Sequence, residues 1–148
     1  MGSTVLDSIR EALDAAGASR PLAVGWATVE LDRAAAELAA SLGLAPDAFV
    51  PEHDSVVLGA RCRVASGVLP DGLSLAILEP IAEGRLAGRL ARLGEGPAAV
   101  WALPEPGATA DGSGGRTGPF GPERLVPGGP VQGPYRLLIL DAPGTIPP

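Results

Sequence analysis

The residues able to do covalent or acid–base chemistry are few. One histidine, His53, stands between Glu52 and Asp54, and one cysteine, Cys62, follows nine positions later. A thiol with an imidazole is the pairing a nucleophilic enzyme uses. Alternation within Val56 to Ala65 (VVLGARCRVA) opposes that use. It groups Cys62 with Leu58, Ala60 and Val64, directed toward a helix, where a thiol is buried and inert. The same alternation sets Arg61 and Arg63 together on the other side. Two guanidiniums there either grip a carboxylate or phosphate, or stay solvated and protect a sheet edge. Arg85, Arg89 and Arg92 recur at helical spacing, a stripe that suits an acidic partner or a plain wet face. Asp111 to Gly115 (DGSGG) lacks the first glycine of a nucleophile elbow and follows no clear strand, so it reads as loop.

Composition removes other chemistries. The chain of 148 residues contains no lysine, which excludes a Schiff base and a P-loop lysine. A single cysteine forms no disulfide within the chain, and one Cys with one His makes no zinc site of several N and S ligands. The net charge of -6 argues against nucleic acid as a partner. No signal peptide and no membrane-length apolar run is visible, so a cytoplasmic protein with no membrane partner is expected. With 46% hydrophobic and only 3% aromatic residues, the core must be built from Ala, Val, Leu and Ile.

These residues need elements to hold them. Thr4 or Ser3 caps a first helix with Val5, Ile9, Leu13 and Ala16 on one face and Gly17 as its stop. Leu22 to Leu31 reads as a strand, and Asp32 caps a helix with Leu38 and Leu42 inward and Gly43 at its end. Ala45 to Asp54 reads as loop, and Val56 to Ala65 as a strand. A Pro-Asp-Gly turn within Gly67 to Gly72 makes a hairpin with Leu73 to Glu79. A helix from about Ala82 to Leu93 buries Leu86, Leu90 and Leu93. Pro97 to Leu103 is a strand, residues 104–122 a Gly/Pro-rich loop, and Arg124 to Val126 and Tyr135 to Asp141 the last strands. The fold class is α+β with a curved, mostly antiparallel sheet. The expected divisions are 1–20 for an accessory helix, 21–93 for a first module with its linking helix, 94–143 for a shortened second module, and 144–148 for a tail.

The stretches VELDRAAAELAASLGL and LAILEPIAEGRLAGRLARLGEGPAAVWAL resemble the vicinal oxygen chelate superfamily, the glyoxalase and bleomycin-resistance fold. The nearest type is the methylmalonyl-CoA epimerase one, where a strand ending Leu-Glu-Pro leads through a helix to Gly-Glu-Gly. The resemblance implies paired βαβββ modules, the second shortened here because the Gly/Pro-rich loop replaces its helix. It implies a homodimer as well. Members with chemistry hold a divalent metal with His, Glu or Gln inside the curved sheet. Carried over, those positions fall at Ala23, Ala76 and Ala99 and near Ile139. None offers a donor, and a slip of one residue lands on equally inert side chains. No metal and no cofactor is therefore expected.

If Ala99 lines a cavity, alternation brings Trp101 and Leu103 to the same side. Ala23, Gly25 and Ala27 join from the first strand, while Trp26 packs on a helix. Ser74 and Ala76 join from the third strand and Tyr135 from the last. Arg61 and Arg63 would face the cavity or solvent. The expected ligand-binding set is Trp101, Arg61, Arg63, Ala99, Ala23, Ala76 and Tyr135. The leading reading is a metal-free protein that binds a small molecule in the sheet cavity. One alternative is a metal-independent lyase or isomerase acting on a carboxylate or acyl thioester, and another is a structural or interaction protein. Whether Trp101 faces an open pocket or plugs it decides much of this.

Overall fold

The computed structural model describes residues 4–104, 115–126 and 133–140. The DGSGG motif (except Gly115), Asp141, the tail and most of the Gly/Pro-rich loop lie outside them. Helix α1 (Val5–Ala16) starts at a capping box: the Asp7 amide donates to Thr4 Oγ1 at 3.0 Å and the Thr4 amide to Asp7 Oδ2 at 3.4 Å. Strand β1 (Pro21–Ala27) ends four residues earlier than the sequence predicts. Buried Thr28 turns the chain there, its hydroxyl donating to Glu95 Oε2 at 2.9 Å. The cap of α2 (Leu31–Leu42) is consequently Glu30, not Asp32: the Arg33 amide donates to the Glu30 carboxylate.

The expected loop before residue 55 contains an edge strand, β2 (Val50–Ser55), and β3 is confined to Ala60–Ala65. After a 3-10 turn at Pro70–Gly72, β4 (Ser74–Pro80) follows. Helix α3 (Arg85–Leu93) is shorter than expected, and it leaves Leu93 exposed while burying Arg89. Strands β5 (Gly96–Ala102), β6 (Glu123–Leu125) and β7 (Tyr135–Ile139) complete the element order.

The seven strands form one curled half-barrel sheet in the order β2-β3-β4-β1-β5-β7-β6. Its arrangement is nearly two-fold about the antiparallel β1–β5 pair. β1 runs parallel to β4 and β5 parallel to β7; the outer neighbours β3 and β6 are antiparallel to these. The axis passes through the Val24–Val100 pair. It therefore relates Ala23 to Ala99, Gly25 to Trp101, Ala76 to Leu137 and Cys62 to Glu123.

Side chains on the outer face of the sheet pack with α1 and α2: Val24, Leu75, Ile77 and Val100 meet Ile9, Ala16, Leu38 and Ala39. Those on the inner face form a second cluster with α3 and the 116–122 segment. Each cluster removes a continuous apolar surface from water, which is what holds a sheet of this width together.

Candidate functional site

The inner face is the candidate site. Residues directly opposite on paired strands share a face. Cys62 lies opposite Leu78, Val64 opposite Ala76, and Gly25 opposite both Ala76 and Ala99. These pairs put Ala23, Ala76, Ala99, Trp101 and Tyr135 on the inner face, with Cys62 among them. Of the two sides that alternation left open for them, Arg61 and Arg63 lie on the outer one, away from the rest of the expected ligand-binding set. Arg61 Nη1 pairs with Glu79 Oε1 at 3.3 Å, and Arg63 Nη2 donates to the Asp32 carboxylate at the start of α2. They line a cleft of about 410 Å³ with Glu30, Asp32, Glu52 and Asp54, so carboxylates already surround both guanidiniums.

Trp101 is fully buried and fills the space over Gly25. A Cβ at Gly25 would sit 2.7 Å from Trp101 Cζ3 and 2.8 Å from Leu78 Cδ1, so only glycine leaves room for the indole. Phe120 meets the indole edge-on, with centroids 5.1 Å apart and planes at 65°. The indole N–H donates to Glu123 Oε1 at 2.8 Å. Glu123 Oε2 accepts from Ser55 Oγ at 2.7 Å, and Ser55 Oγ accepts from the Leu58 amide at 3.2 Å. Both Glu123 and Ser55 are fully buried. Burial pushes the Glu123 carboxyl up from the ordinary glutamate value, against the lowering effect of the Ser55 and Trp101 hydrogen bonds. Gly118 lies against this carboxyl, where a Cβ would overlap it.

Sequence reading missed Glu123, Ser55 and Phe120. The only available signal for Glu123 was its place two residues before Leu125, which puts both on one side of a short strand. Cys62 shares the inner face, but burial, with the nearby Glu123, Asp54 and Glu52 charges, pushes its thiol up to about 12. It stays protonated at neutral pH and is no nucleophile. His53 is exposed on β2. A Cys/His pair therefore has neither an activated thiol nor a shared pocket.

The α3 side of this face differs. Arg89 is only 7% exposed, its Nη1 donating to the Gly133 carbonyl at 2.7 Å and Nη2 to the Pro97 carbonyl at 3.5 Å. Its guanidinium carbon lies 5.7 Å from the Tyr135 ring centroid. The Tyr135 hydroxyl donates to the Arg85 carbonyl at 3.0 Å.

The donor set does not fit a metal in the sheet. Ala23, Ala76, Ala99 and Ile139 are all 0% exposed and apolar, and Leu137, the two-fold image of Ala76, is equally without a donor. Among the described residues no group of three or more His, Cys, Asp or Glu side chains is placed to hold a metal ion.

No family model matches the sequence, and no curated protein matches it. Solved structures do match its fold. Methylmalonyl-CoA epimerase from Mycobacterium tuberculosis is similar at 16% identity and a TM-score of 0.60, over 97% of this chain and 93% of that one. A Streptomyces coelicolor methylmalonyl-CoA epimerase variant in complex with 2-nitronate-propionyl-CoA is similar at 22% identity and a TM-score of 0.57, over 82% and 96%. A hypothetical protein from Bacillus halodurans gives 15% and 0.52, over 80% and 91%. The fold is thus that of the vicinal oxygen chelate proteins. Among the described residues no helix is long and apolar enough to cross a membrane.

Proposed function

We propose that this chain binds a small molecule on the inner face of its sheet, without a metal ion and without turnover. The observation that carries the reading is the exchange of donors for packing. Three of the four positions where this fold would place metal ligands are alanines, and the volume over Gly25 holds an indole tied to a buried carboxyl. Among the described residues, Tyr135 and Arg89 are polar groups at the margin, with the small side chain of Ala99 opposite Tyr135. A flat ligand would stack there and be oriented by few polar groups. Homodimer formation, expected from the shortened second half, belongs to the same proposal and is checked by light scattering.

Two measurements test it. A Trp26→Phe variant leaves Trp101 as the sole indole, and its emission is followed against a panel of small aromatic and acyl compounds, with thermal shift in parallel. Saturable changes in both, unaffected by chelator, are expected. Tight binding of Zn, Ni or Mn at one ion per chain, or turnover of an acyl thioester, would overturn the reading.

A second reading has its own support. Trp101 is as buried as any core residue and the inner face is a second core, which suits a structural or interaction protein. A panel that leaves Trp101 emission unmoved throughout would favour it. The metal-independent lyase or isomerase loses Arg61 and Arg63 as polarising groups, because both lie on the outer face of the sheet and are ion-paired. Glu123 is then its remaining candidate base.

A further inference from the structure

Four ion pairs form among the described residues, taking up Arg33, Arg61 and Arg63. Arg89 belongs to none of them. It is also the one buried arginine among those residues. Its partners there are two main-chain carbonyls and the face of Tyr135, all neutral groups. Another cation, Arg92, acts on it from one turn further along α3. Helix α3 has three arginines and no acid in a chain of net charge -6.

A guanidinium does not lose its proton inside a protein. Burying one without a counter-charge is unfavourable, and interiors normally supply that charge. A planar fork of N–H donors matches a carboxylate or phosphate. Tyr135 supplies the flat neighbour, and Ala99, opposite it on β5, carries only a methyl group. Leu86 and Leu90 close the corner with apolar surface. This shape suits an anion joined to an apolar body more than a bare ion.

We propose that the corner formed by Arg89, Tyr135 and Ala99 is an anion subsite that takes the carboxylate of a small ligand, with the ligand's flat apolar body against Tyr135. The proposal deepens the binding reading above and rests on it. Arg89 replaces Arg61 and Arg63 as the anchoring arginine.

The test compares benzoate, benzamide and inorganic phosphate on the full chain, by calorimetry and thermal shift at low and moderate salt. Benzoate is expected to bind at least about tenfold more tightly than its neutral isostere, since a charge-assisted hydrogen bond is about twice as strong as a neutral one. Added salt should narrow that gap, and phosphate should compete with benzoate. Arg89→Met should bring the benzoate preference below about twofold. Equal affinity for benzoate and benzamide would overturn the subsite, as would a preference that survives Arg89→Met. If that variant does not fold, the wild-type comparison decides alone. Equal binding of both compounds with a change in Trp101 emission removes the subsite and leaves the binding reading standing. Silence from every compound removes both.

Discussion

At the scale of single residues, the contact between Trp101 and Gly25 shows how a missing side chain on one strand makes room for an indole on the next. The pseudo-two-fold axis relates these positions, and one has the largest side chain while the other has none. That asymmetry lets a single indole fill the middle of the inner face. Gly25→Ala should therefore cost about 1–3 kcal/mol, since the new methyl meets Trp101 and Leu78 at under 3 Å. Trp101→Leu should cost about 2–4 kcal/mol through lost contact and a Glu123 oxygen without its donor. The two changes should not add. In the Trp101→Leu background the alanine has room, and the double variant should be about 1 kcal/mol more stable than the sum predicts. Urea midpoints of the four proteins measure this, and strict additivity would show that the indole is not held against Gly25. Glu123 was invisible to sequence reading for a related reason. A carboxyl inside a sheet is legible only through its partners, and Ser55 is 68 positions away.

The elements show where local pattern suffices and where it does not. Capping at Thr4 and stops at Gly17 and Gly43 are local events, and they were readable as such. The edge strand β2 was not, because VPEHDS has neither an apolar run nor alternation: an edge with both sides largely exposed needs neither, and its proline and charges resist further pairing. Arg61 and Arg63 were grouped by alternation, which left open whether they face the cavity or solvent. Period two says which residues share a side, and only the cross-strand register with β4 says which side that is. Helix α1, an accessory in the sequence whose expected role is packing on the sheet or on a second subunit, covers β5 and β1 on the outer face, and the Arg136 guanidinium on β7 donates to the carbonyl of its last residue, Ala16. It thereby covers β5 and β1 as α2 covers β4. If α1 is part of the cooperative unit, Ile9→Ala, at a site only 2% exposed, should cost about 2–4 kcal/mol of global stability. Denaturant unfolding followed by both CD and Trp26 emission checks it. A helix that frays alone would lose CD signal while leaving the emission midpoint unchanged.

For the whole molecule, the two halves share one sheet, so the buried Glu123 should be felt in overall stability. Its carboxyl holds its proton to a higher pH when folded than when unfolded, because burial disfavours the charged form. Between the ordinary glutamate value and that raised value, the folded state keeps a proton that the unfolded state releases. Stability contributed by the neutral carboxyl is thus complete below the unfolded value and is lost as pH rises through the window. Glu95 acts in the opposite sense. Burial raises it, but the Val29 amide, Arg33 and Thr28 together outweigh that and hold it low, so its contribution is lost as pH falls. The Glu95 side chain is 32% exposed and Glu123 is fully buried, so Glu123 should dominate. The excess of acidic groups also weakens the compact state at high pH, through repulsion that any variant shares. The difference between two proteins therefore isolates Glu123. Glu123→Gln keeps an oxygen for the indole N–H and places an amide beside Ser55, with no charge to gain. Wild type should lose up to about 1.4 kcal/mol per pH unit within the window, measured by urea unfolding from about pH 5 to pH 8. The variant should lose clearly less over the same range. Parallel curves for the two proteins would place the pH dependence elsewhere and show that Glu123 is already charged across that range in the folded chain.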